Sequence, residues 1–134
     1  MTDPTDLLSL THAVQRYLDL MHDSDISQFE RVFHATAQIH GLRDGKLTTL
    51  TAQAFKDAIG SRPSLASRGV RREDQILLVD LASPTQALVK VRVGWNAAMY
   101  VDCLTYHRVD GEWLITAKGF HIEGAWPPAA AHGS

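Results

Sequence analysis

The sequence predicts an α+β fold in which N-terminal helices cover one face of a curved antiparallel sheet. Three observations predict it. Apolar residues recur at three- and four-residue steps in the first half of the chain, they alternate with polar ones in the second half, and short turn-forming stretches separate the alternating runs.

In the first helix Leu7, Leu10, Val14, Tyr17, Leu18 and Met21 form one apolar stripe that ends near His22. Asp25 caps a short second helix in which Ile26, Phe29, Val32 and Phe33 keep the helical spacing. Ala37 to Leu42 alternates weakly and reads as a short strand. A third helix starts near Thr51, buries Phe55, Ala58 and Ile59, and stops at Gly60. Ser61 to Arg72, with Pro63 and Gly69, reads as an exposed, mobile loop. Its Arg62, Arg68, Arg71 and Arg72 are then solvated side chains or a lid that attracts an anionic ligand.

The period then changes. Ile76 to Leu81 is a short apolar strand followed by a turn at Ser83-Pro84-Thr85. Val89, Val91, Val93 and Trp95 share one face of the next strand, with Lys90 and Arg92 on the other. Asn96-Ala97-Ala98 turns the chain into a strand from Met99 to Arg108, and Val109-Asp110-Gly111 is a hairpin signal before Trp113 to Ile122. Consecutive hairpins imply an antiparallel meander. No segment repeats internally.

A chain of 134 residues and 14.8 kDa fits one domain, taken as residues 1–126, with 127–134 as a flexible tail; Trp126-Pro127-Pro128 reads as the start of that tail, without a structural role. Thirteen basic against fifteen acidic residues give a net charge of −2, which disfavours nucleic acid as a partner. No apolar run reaches the ~18 residues of a membrane span, and Met1 to Asp6 is acidic and polar, so a soluble, cytoplasmic protein is expected. The single cysteine, Cys103, permits no intrachain disulfide and is expected to be a small buried residue on the outer sheet face. No HExxH pair is present, and neither a metal nor a cofactor is expected.

With these elements in order, the chain resembles the nuclear transport factor 2-like superfamily, and within it the polyketide-cyclase (SnoaL-like) and putative lumazine-binding groups. The resemblance rests on Arg16-Tyr17, on Asp25 to Phe33, on Tyr100-Val101-Asp102-Cys103-Leu104, and on Asp110-Gly111-Glu112-Trp113 leading to Lys118-Gly119-Phe120-His121. It implies a cone with a pocket between helices and sheet, and a homodimer formed through the outer sheet face.

The pocket is the place to look for function. Burial of the helix stripe points Tyr17 and Met21 inward, and alternation does the same for Val91, Val93 and Trp95. Phe33 and Phe55 add aromatic walls. Both faces of the last two strands are mixed, and similarity to the ketosteroid isomerases of the superfamily selects Asp102, Leu104 and Tyr106 as one inward set and Thr116, Lys118 and Phe120 as another.

Tyr17 and Asp102 match the tyrosine and protonated aspartic acid of the isomerases' oxyanion hole, an established worked case of a carboxyl kept neutral in an apolar site. The general-base position of those isomerases corresponds to Gly41, and the helix aspartate of related dehydratases corresponds to His22, so neither chemistry transfers directly. If Lys118 faces Asp102, an ion pair would keep the carboxylate ionised. Of the other histidines, His34 lies near the pocket mouth by resemblance, His121 points outward by alternation, and His40 and His107 face solvent or a partner subunit. His12 is a solvated helix residue, and His132 belongs to the tail.

Two functions follow as expectations. One is a small-molecule-binding protein with an enclosed, mostly apolar pocket. The other is a cofactor-independent acid/base enzyme, an isomerase, cyclase or dehydratase acting on a small cyclic or carbonyl-containing substrate, with Asp102 as base or proton donor and Tyr17 or Lys118 polarising an oxygen.

Overall fold

The computed structural model describes residues 3–127. Helix α1 spans Pro4–Asp23. It is opened by the Asp3 carboxylate, which accepts from the Thr5 amide, and closed by Ser24 in the left-handed region at φ 53°. A 3-10 helix (Ile26–Arg31) follows, and helix α2 covers Ala52–Gly60, capped by the Thr51 hydroxyl. The strands are β1 (Phe33–Arg43), β2 (Lys46–Thr51), β3 (Asp74–Ser83), β4 (Gln86–Trp95), β5 (Ala98–Val109) and β6 (Glu112–Ala125).

The strands form one sheet in the order β2-β1-β6-β5-β4-β3, antiparallel throughout except where β1 runs parallel to β6. Helix α1 lies against β4 and β6, and α2 against β1 and β2. The apolar stripe of α1 meets the inward face of β4, so Leu10, Val14, Tyr17 and Met21 share one core with Val89, Val91 and Val93. The α+β class is therefore the observed one.

Several expectations change. The helix predicted through Val32 and Phe33 ends at Arg31, because Val32 accepts a backbone bond from Ile115 and Phe33 already pairs with that residue as the start of β1. Tertiary pairing here overrides helical spacing. β1 is longer than Ala37 to Leu42, and β2 was not anticipated. The two are joined by Asp44 and Gly45, both at positive φ (51° and 78°), a tight hairpin turn.

The basic loop is tied down. Leu65 is buried, the Ala66 amide donates to the His22 carbonyl, and Arg72 bridges Asp19 at 2.8 Å and Asp74 at 2.7 Å. Trp126 belongs to the packed structure, since its ring is buried against Gly94 and its amide donates to the Ala97 carbonyl. Residues 128–134 of the predicted tail lie outside the described residues. Cys103 is exposed in the single chain, with Lys90, Arg92 and His121 around it.

Candidate functional site

Between the helices and the sheet lies a cavity of about 430 Å³, within the range of small-molecule sites. Met21 of α1 and Phe55 and Ala58 of α2 line one side, and Val93 and Trp95 of β4 the other. Tyr100, Asp102, Lys118 and Phe120, from the paired strands β5 and β6, complete the sheet side. Ile39, Thr48 and Leu50 extend the wall along β1 and β2, and Arg43, Arg62 and Asn96 add polar groups.

The polar centre is built by strand register. Asp102 pairs with Val91 on one side and Phe120 on the other, while Lys118 pairs with Leu104 and Ile39. Both side chains therefore turn to the helices, and both are buried: Asp102 is 1% and Lys118 5% exposed. Asp102 Oδ2 accepts the Tyr17 hydroxyl at 2.5 Å and lies 3.7 Å from Lys118 Nζ. Its other oxygen, Oδ1, is buried without a hydrogen-bond partner.

These surroundings push Tyr17 and Lys118 toward their neutral forms. Burial, with Asp102 adding to it, raises the Tyr17 phenol well above its ordinary range. Burial also lowers the Lys118 amine; the nearby Asp102 opposes that shift and Arg43 reinforces it. The Lys118 ammonium gains compensation from rings, with Nζ 4.4 Å from the Phe55 centroid and 5.2 Å from that of Tyr17.

The arginines are held in place as well. Arg43 donates to the Tyr100 hydroxyl at 3.0 Å and stacks over Phe120, and Arg62 lies over Trp95. Gly41 is required by this packing, because a Cβ there would sit 2.4 Å from the Phe120 ring. Phe120 thus fills the space at the position where the isomerase resemblance seeks a general base.

Met21, Phe55, Val93, Trp95, Asp102, Lys118 and Phe120, all anticipated, line the cavity. Tyr17 does not. It lies behind Asp102 and donates its only O–H to that carboxylate. Phe33, Val91, Leu104 and Tyr106 point inward but pack into the core instead of the cavity lining.

Thr116 is a correction with a clear cause. Thr105 pairs with Ala117 and Tyr106 with Ile115, which leaves Thr116 as the extra residue of a β-bulge. Its hydroxyl is 2.6 Å from His107 Nδ1 and does not reach the cavity. Trp113 and Ile115 take the inward positions before the bulge, and Lys118 and Phe120 after it.

Sequence reasoning missed Ile39, Arg43, Thr48, Leu50, Ala58, Arg62, Asn96 and Tyr100 as lining residues. For Tyr100 the signal was present, since it lies two residues before Asp102 on the same strand face. His34 does not line the cavity either; its ring contacts Thr36 at 2.7 Å, and His121 is exposed on the sheet's other face.

A helix-backed, mostly antiparallel sheet with a cavity between the layers is the nuclear transport factor 2-like fold. The chain belongs to the family described as Putative lumazine-binding, whose profile matches residues 6–121. Its fold is shared with an NTF-2 like protein of unknown function from Silicibacter pomeroyi, at TM-score 0.81 and 24% identity over 91% of this chain and 99% of that one. A ketosteroid isomerase-like protein from Erwinia carotovora atroseptica superposes at TM-score 0.69 with 12% identity, covering 91% and 99% of the two chains. Among characterised sequences, aldolase FrzH of Cladobotryum sp is 26% identical over 107 residues, or 78% of this chain and 82% of that protein.

Proposed function

We propose that the protein binds a small organic molecule in the cavity, and that a hydrogen-bond donor of that molecule meets Asp102. The observation that carries this reading is the unpartnered Asp102 Oδ1. Leaving a buried acceptor unsatisfied costs about 1–3 kcal/mol, and a ligand N–H or O–H would remove that cost. Family membership supports binding in general, and the apolar walls favour a cyclic or aromatic body.

A thermal-shift screen of cyclic ketones, lactones and aromatic heterocycles, with and without donor groups, tests it. Donor-bearing members should raise Tm, and Asp102→Asn, which can turn an amide N–H toward the ligand, should weaken them while sparing acceptor-bearing ones. No stabilisation by any member would contradict the reading.

A second reading is carbonyl-directed acid/base catalysis without a cofactor, favoured by the Tyr17–Asp102–Lys118 cluster. Asp102 would take or give the proton, Lys118 would polarise the carbonyl oxygen, and Tyr17 would hold Asp102 in place. The aldolase name of the Cladobotryum relative fits a carbonyl substrate. We also propose a homodimer through the outer sheet face, supported by exposed Leu78, Leu88 and Cys103; sedimentation at twice the chain mass checks it.

A further inference from the structure

We propose that Lys118 is a carbonyl-capturing amine, whose Nζ condenses with an aldehyde or ketone in the cavity to form an iminium. This rests on the reading that a carbonyl compound enters the cavity, and it gives Lys118 a covalent role in place of a purely polarising one.

The placement of Nζ carries the inference. Lys118 lines the cavity while its side chain is 95% buried, so the amine meets a ligand in an environment stripped of bulk water. Its carboxylate neighbour at 3.7 Å is farther than a direct hydrogen bond, and that oxygen already accepts the Tyr17 hydroxyl at 2.5 Å. Two aromatic rings, Phe55 and Tyr17, stand beside Nζ with centroids at 4.4 and 5.2 Å. A lysine required only for an ion pair would gain from a shorter contact and has no use for an adjoining cavity. Burial lowers the amine's proton affinity, which enlarges the nucleophilic fraction.

The step balances with the groups present. The Lys118 ammonium passes a proton to Asp102, and the freed lone pair forms the C–N bond as the carbonyl π pair moves to oxygen. That oxygen takes the proton from Asp102 and becomes the hydroxyl of a carbinolamine. Loss of one proton from nitrogen, protonation of the hydroxyl and departure of water give the iminium. One ammonium and one ketone become one iminium and one water, with the charge of +1 unchanged. A cation therefore stands beside the Asp102 carboxylate both before and after the step, and while the amine attacks as a neutral group Asp102 holds its proton, so the buried carboxylate is at no point left unpaired.

The test uses acetylacetone, a small 1,3-diketone whose condensation product with an amine is an enaminone absorbing to the red of tryptophan. The full chain should develop that absorbance, with an intact mass higher by the diketone less one water and the adduct mapped to Lys118. Lys118→Arg keeps the cation and should abolish the signal; Lys118→Met checks the same loss without it, with circular dichroism confirming that each variant is folded. Labelling spread evenly over Lys46, Lys56 and Lys90, or unchanged in Lys118→Arg, would overturn the proposal. A parallel thermal shift with cyclic ketones separates the two readings. Stabilisation without any enaminone overturns the amine and leaves binding standing, and neither signal overturns both.

Discussion

Asp102 has two oxygens in different situations. Oδ2 holds the Tyr17 hydroxyl and faces Lys118, whereas Oδ1 is buried without a hydrogen-bond partner, so the carboxylate is fixed at one end and unsatisfied at the other. Removing the fixing bond tests this. Tyr17→Phe should cost about 1.5–3 kcal/mol in urea unfolding, the usual worth of a buried hydrogen bond to a charged group. The same variant has a pH signature. Because folding raises the Tyr17 pKa, its contribution is complete below the unfolded value of 10.0 and is lost as pH climbs through the folded one. The gap between the wild type and Tyr17→Phe should therefore be constant up to about pH 9 and narrow as the pH rises past about 10. A constant gap would show that Tyr17 is not buried as a neutral donor. The helical period placed Tyr17 on an inward face and the isomerase resemblance did the same for Asp102 and Lys118, but neither reveals that a tyrosine spends its proton on a neighbour. That fact depends on how closely α1 approaches β5.

At the level of elements, the legible parts were those with strong periods. The stripe of α1 from Leu10 to Met21 and the alternation of β4 are both seen where expected, whereas Leu7, predicted in the same stripe, is exposed in the helix's first turn. β2 was missed although Asp44-Gly45 is the same dipeptide as Asp110-Gly111, because Leu47 and Leu50 stand among threonines and leave little contrast between the strand's faces. The β6 bulge was also readable in hindsight: Trp113 and Ile115 are in one phase, and Lys118 and Phe120 in the other. Trp126 defeated composition-based reading because prolines and alanines follow it. Its ring occupies the space left by Gly94, where a Cβ would sit 2.4 Å from the indole, directly beside Trp95 of the cavity wall. Trp126→Ala should therefore destabilise the domain by about 3–5 kcal/mol, measured by denaturant midpoint, as for other buried tryptophans. A loss below about 1 kcal/mol would return Trp126 to the tail.

For the whole molecule, the net charge of −2 says little about the site, because the cavity has its own balance. Arg43, Arg62 and Lys118 line it beside the carboxylate of Asp102, so its lining carries more basic than acidic side chains. The fold holds these groups together by packing two helices over a sheet whose outer face lies elsewhere, and the Putative lumazine-binding family supplies the general expectation of a bound small molecule. The central claim is that this cavity, anchored at Asp102, is where such a molecule binds. Amide and methyl NMR of the isotope-labelled protein, titrated with cyclic and aromatic carboxylates, ketones and heterocycles, tests it most directly. Saturable shifts centred on Met21, Ile39, Val93, Tyr100 and Asp102 are the predicted result; shifts confined to the outer sheet face around Val101, Cys103 and His121, with the cavity residues unmoved, would contradict it.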